Sequence, residues 1–153
     1  TNTARMEGYR EGVNEAGGEF LDAETQYANA TADLAVTAME GIMSKYPEGV
    51  AIICSNNDDM ALAAARTAKD NPNYAKTIFL GFDGQKSAVE AVLNGELTMT
   101  AAQNNFDIGY KAVETMVQVL DGETVDEFVD SGSDVVTPDN AQERLDTLKT
   151  QLH

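Results

Sequence analysis

The spacing of apolar positions changes several times along the chain, and each change marks an element. Over residues 4–16 Met6, Tyr9, Val13 and Ala16 share one helical stripe, and Gly17-Gly18 stops it. Residues 19–26 read as a strand, with Phe20, Ala23 and neighbouring Tyr27 as its apolar members. Residues 31–46 carry two adjoining helical stripes, Leu34, Ala38 and Ile42 beside Ala35, Met39 and Met43, with Pro47 as the stop. The runs 49–54 (GVAIIC) and 77–82 (TIFLGF) are continuously apolar, as in strands buried on both faces. Between them, polar residues 55–58 open an alanine-rich helix that runs to about Asp70, before Pro72. A helix over 85–93 closes at Asn94-Gly95, a strand covers 97–102, and a helix over 107–120 aligns Ile108, Ala112, Met116 and Leu120. Residues 125–128 and Val135-Val136 are short strand candidates, and the acidic stretch 121–134 reads as a connector. Thr137 is then expected to cap a last helix, with Pro138 at its first position and Leu145, Leu148 and Leu152 inward.

Strands alternating with helices of this length predict an α/β fold, a parallel sheet flanked by helices on both faces. In such sheets ligands bind beyond the carboxyl ends of the strands. Tyr27 follows the first expected strand, Asn57 follows 49–54, Asp83 follows 77–82 and Gln103 follows 97–102. A carboxylate that accepts from vicinal hydroxyls, two amides and an aromatic face suit a neutral polyhydroxyl ligand. They do not suit a phosphate, which calls for a glycine-rich loop or several cations. Each residue also has a plainer reading. Asn57 and Asp58 could cap the helix that follows, Asp83-Gly84 could be a turn, Tyr27 could be core, and Arg5 could be a solvated helix charge.

Composition narrows the function further. The chain has 153 residues, with 10 Lys+Arg against 26 Asp+Glu, a formal net charge of −16. That length suggests one domain, and the acid excess argues against nucleic acid or an anionic membrane as partner. No apolar run is long enough to cross a bilayer. Cys54 is the only cysteine and is expected to be a small buried hydrophobe, so neither a disulfide framework nor a thiolate metal site is available. His153 is the only histidine and the last residue, which leaves no Ser-His-Asp or Cys-His device. Asp58-Asp59 has no Lys or His beside it to suggest a metal or phosphoacceptor pair. A binding protein with no cofactor and no metal is therefore expected rather than an enzyme.

Several segments resemble one family. They are Ala4-Arg5 with Glu7-Gly8-Tyr9, the run Ser55-Asn56-Asn57-Asp58-Asp59-Met60-Ala61-Leu62, Gly81-Phe82-Asp83-Gly84, residues 88–95, Thr100 to Gln103, and Gly109-Tyr110-Lys111-Ala112-Val113. Together they look like the C-terminal part of a type I periplasmic sugar-binding protein, ribose/galactose type, the solute-binding component of an ABC importer. The likeness leans toward the glucose/galactose binders.

The resemblance implies a ligand set. Arg5 would donate to sugar oxygens, Tyr27 would lie against the ring, Asn57 and Asp83 would bracket the hydroxyls, and Gln103 would contribute an amide near the hinge. Tyr27 replaces the larger Trp of the galactose type, and Thr1 stands where that type has an acidic residue. The resemblance also implies domain limits. Residues 1–103 and 125–153 would form an incomplete C-terminal lobe, its first strand and helix missing. Residues 104–122 would cross to the N-terminal lobe, with hinge crossings near Gln103-Asn104 and 122–125. Thr1 is no initiator, so the chain is expected to be part of something longer. The expected function is extracytoplasmic binding of a monosaccharide, hexose or pentose, by hinge closure, with delivery to a permease. The alternative is the effector-binding core of a lac-repressor-type transcription factor, which an upstream helix-turn-helix would reveal. With the N-terminal lobe absent, the apolar face of Ile108, Met116 and Leu120 is expected to be covered by a second copy of the chain.

Overall fold

The computed structural model describes residues 2–151, so the expectations placed on Thr1, Leu152 and His153 lie outside it. The centre is a βαβαβ unit. Strand β1 (Ile52–Cys54) leads through helix α3 (Asp58–Ala68) to β2 (Ile78–Asp83), and α4 (Lys86–Leu93) leads on to β3 (Met99–Gln103). Before it come α1 (Asn2–Glu15) and α2 (Ala32–Lys45); after it come α5 (Asn105–Leu120), β4 (Ser133–Val136) and α6 (Ala141–Gln151). The sheet order is β1-β2-β3-β4. The first three strands are parallel, with Ile53 opposite Phe79 and Phe82 opposite Ala101, and β4 is antiparallel, with Gln103 opposite Ser133. This is the α/β architecture that the alternation of patterns predicts.

The core shows how far the periodicity carries. Ala61, Leu62, Ala65 and Ala68 of α3 and Ala88, Val89 and Val92 of α4 are buried, together with Phe79, Ala102 and Val136 of the sheet. Met39 of α2 and Leu145 of α6 complete it, because α2 packs along α3 and α6 along α4. Continuously apolar strands predict burial on both faces, but the strands are buried on one. In β2 and β3 the inward residues Phe79, Gly81, Thr100 and Ala102 are buried, while Leu80, Phe82, Met99 and Ala101 are half-buried. Strand β1 is an edge with a neighbour on one side, so Ile52, Ile53 and Cys54 are half-buried as well. Burial still pushes the Cys54 thiol up to about 11.

Three further sequence expectations are corrected. Residues 19–26 form no strand: they hold a short 3-10 turn at Asp22–Glu24, tied to α1 by Arg10–Asp22 (Nε to Oδ1, 3.0 Å) and to α2 by Lys45–Glu24 (2.6 Å). A strand needs a partner for its backbone, and none of the described strands lies beside this segment. Residues 125–128 also form no strand, and Phe128 is 80% exposed. The chain re-enters the sheet at Ser133. Finally, Thr137 and Pro138 precede the last helix rather than open it. The Thr137 carbonyl accepts from the amides of Asn140 and Ala141, a turn that delays α6 to Ala141.

Candidate binding site

The parallel strands end on one side of the sheet, and the polar residues expected there are placed by backbone rules. Asn57 follows β1 and caps α3, its Oδ1 accepting from the Met60 amide (2.9 Å). Its Nδ2 donates to the Ala30 carbonyl (3.2 Å). The capping reading of Asn57 is therefore realised, with one amide hydrogen left over. Asp83 closes β2 and Gln103 closes β3.

Three of the five candidates meet. Gln103 Nε2 donates to Asp83 Oδ1 (2.7 Å), and the Arg5 guanidinium, brought in by α1, stands 3.4 Å from the same oxygen. Arg5 also donates to the Asn56 carbonyl (2.6 Å) and sits over the Phe82 ring, its Cζ 3.7 Å from the centroid. Arg5 is thus no solvated helix charge: its side chain is 16% exposed, and among the described residues its buried Nε has no hydrogen-bond partner. Asp83 keeps 24% of its side chain in contact with solvent, and among the described residues Oδ2 accepts no hydrogen bond. Tyr27 stands apart. It is 76% exposed and outside the core, among the described residues its hydroxyl makes no hydrogen bond, and, three residues on, the Ala30 carbonyl accepts from Asn57 Nδ2. One cleft of about 520 Å³ lies between α2 and α3, and another of about 470 Å³, beside α6, borders the rim at Asn104 and Arg144.

Residues that the sequence analysis did not assign to the rim support it from behind. Asp58 is fully buried. Its Oδ1 accepts from the Thr100 hydroxyl (2.6 Å) and its Oδ2 from the Gln85 amide (2.8 Å). Tyr9 donates from its hydroxyl to the Ser55 carbonyl (2.9 Å), and burial raises its phenol well above the usual range. Arg144 of α6 donates to the Gln103 carbonyl (2.8 Å) and to Asn104 Oδ1 (3.2 Å). Position in the sequence gave no signal for Arg144, because its partners are about forty residues away.

Burial pushes the Asp58 carboxyl up to about 6, with Asp83 adding to the rise and the hydrogen bonds from Thr100 and Gln85 opposing it. A folded-state pKa above the unfolded value means that the folded chain holds the proton longer. The associated stability is complete below about pH 4 and is lost as pH rises through about 6. Asp58→Asn cannot titrate, so its stability should decline less between pH 4 and 7, by on the order of 2–3 kcal/mol. Urea unfolding of both forms at four pH values in that window measures the difference. Parallel declines would show that Asp58 is not the group responsible.

Known proteins share this chain's sequence and shape. It is 34% identical over 121 residues to a ribose import binding protein of Salmonella typhimurium, covering 79% of this chain and 40% of that protein. To a fructose import binding protein of Bifidobacterium longum it is 30% identical over 124 residues, 80% of this chain and 38% of the relative. A solved ABC transporter solute-binding protein of Mycobacterium smegmatis, with bound glycerol, superposes with a TM-score of 0.65 at 35% identity, over 77% of this chain and 41% of that one. The chain spans about two fifths of the length of the curated relatives it matches. Two of these relatives are thus named for the import of a sugar, and the third for binding the solute of an ABC transporter. Residues 1–124 match the family model described as periplasmic binding protein domain, and the chain belongs to that family.

Proposed function

We propose that this chain supplies one jaw of a cleft that binds a monosaccharide outside the cytoplasm and delivers it to an ABC permease. The observation that carries this reading is the Arg5–Asp83–Gln103 group at the strand ends. Arg5 and Gln103 converge on Oδ1 of Asp83, which fixes the carboxylate and leaves Oδ2 facing outward to accept from a sugar hydroxyl. Asn57 adds an amide hydrogen and Tyr27 an exposed ring that suits the C–H face of a pyranose. No bond is made or broken. The sugar bridges two lobes and stabilises their closed arrangement by contacts that the open one lacks.

In this reading residues 1–103 and the sheet-returning end of the chain form one lobe, and residues 104–122 cross to the other. Two features support it. Helix α5 has no buried side chain, with Val113 67%, Met116 59% and Leu120 77% exposed, an apolar face that fits a covering lobe. Gln103 and Ser133 are paired, so the outgoing and returning segments run side by side as hinge strands would. Binding to the full-length polypeptide is tested by a thermal-shift panel of hexoses and pentoses. At a hundredfold excess over Kd the bound form gains about 2.7 kcal/mol, a shift of several degrees, and a flat panel would overturn the proposal.

For the 153-residue chain alone, the face of Ile108, Met116 and Leu120 is expected to be covered by a second copy. Light scattering should give more than the monomer mass of 16.4 kDa, and a monodisperse monomer refutes this.

A further inference from the structure

Asp83 has φ +115°, in the region that residues with a Cβ avoid, and its carboxylate is aimed by that backbone. Such a conformation persists where its surroundings over-determine it, and here they do. The amides of the next two residues are each held by a side chain from another element: Gly84 N–H donates to Thr100 Oγ (3.3 Å) and Gln85 N–H to Asp58 Oδ2 (2.8 Å). The Thr100 hydroxyl in turn donates to Asp58 Oδ1 (2.6 Å), so the two side chains act as one unit, both fully buried. Gly84, at φ +72°, lies against Ala102, where an added Cβ would come within 2.3 Å of the alanine methyl.

We propose that the Asp58–Thr100 pair is a positioning device for the ligand-binding carboxylate. It touches no ligand. It fixes the Asp83-Gly84-Gln85 turn from below, and its two members sit one residue after Asn57 and three before Gln103, so the same pair spaces three rim residues. The inference rests on the sugar-binding reading for its purpose, while the clamp itself is a property of the turn.

Thr100→Val keeps the volume and removes the hydroxyl; Thr100→Ser keeps the hydroxyl. In the full-length polypeptide, with the sugar that gives the largest thermal shift, Thr100→Val should weaken Kd about tenfold, the worth of one or two hydrogen bonds. It should also speed hydrogen exchange at the Gly84 and Gln85 amides, and Thr100→Ser should restore both. Leu145→Ala, a core truncation in α6, serves as the control that lowers the melting temperature without changing Kd. Should Thr100→Val not fold, Asp58→Asn carries the same two measurements. The inference fails if the variant melts earlier, as the control does, yet keeps its Kd and its Gly84 protection. If the unaltered protein binds no sugar, the functional reading fails instead, and unchanged exchange at Gly84 and Gln85 would then overturn the clamp separately.

Discussion

Asp83→Ala in the full-length polypeptide is expected to abolish the sugar-induced rise in melting temperature, a loss of at least about 100-fold in affinity. The Asp83 carboxylate is held at one oxygen by Gln103 and Arg5 and keeps part of its side chain in solvent, and a hydrogen bond to a charged acceptor is among the stronger polar contacts in a binding site. Asp83→Gly separates chemistry from backbone strain. It should lose binding equally, yet melt higher than Asp83→Ala in the free state, since glycine adopts φ +115° without penalty. An undiminished sugar shift in either variant would remove Asp83 from the site. Equal melting of the two free proteins would instead show that the positive φ carries no strain.

The second large effect is expected at Gly81, which no ligand would touch. A methyl group there would lie 2.3 Å from Asp58 Oδ1 and 3.4 Å from the Ala61 methyl. The carboxylate has nowhere to move, because each of its oxygens is already committed, to Thr100 and to Gln85. Gly81→Ala should therefore cost about 3 kcal/mol, on the order of 10 °C in melting temperature for a chain of this size. Gly12→Ala is the contrast: nothing lies within 4 Å of its added Cβ on α1, so it should gain up to about 1 kcal/mol of helix propensity. Similar melting temperatures for the two variants would mean that the Asp58 carboxylate is not confined as described.

These two glycines mark where sequence reasoning stops. The segment Gly81-Phe82-Asp83-Gly84 is visible as a motif, and its aspartate falls at a strand end by simple periodicity. That the first glycine makes room for a carboxylate 23 positions earlier is a tertiary fact. Asn57 was legible both as a cap and as a rim residue, and the structure uses it as a cap while leaving one amide hydrogen outward. Asp58 looked like its equal neighbour in the sequence, yet one residue along the helix turns it from the rim into the core. Arg5 was ambiguous because a helix-borne arginine says nothing of what it faces. Only packing against Phe82 and Asp83 decides that it is a buried donor.

By itself the sequence determined the βαβαβ core, the helical stripe that buries Met39, and the strand ends where Asn57, Asp83 and Gln103 sit, because spacing along a chain dictates which side chains share a face. The tertiary structure decided what spacing does not encode. Residues 19–26 cannot be a strand without a neighbour to bond to, and the second face of the sheet stays half-covered. A buried aspartate holds the turn that aims Asp83. Hydrogen-bond partners and desolvation depend on residues far apart in the chain.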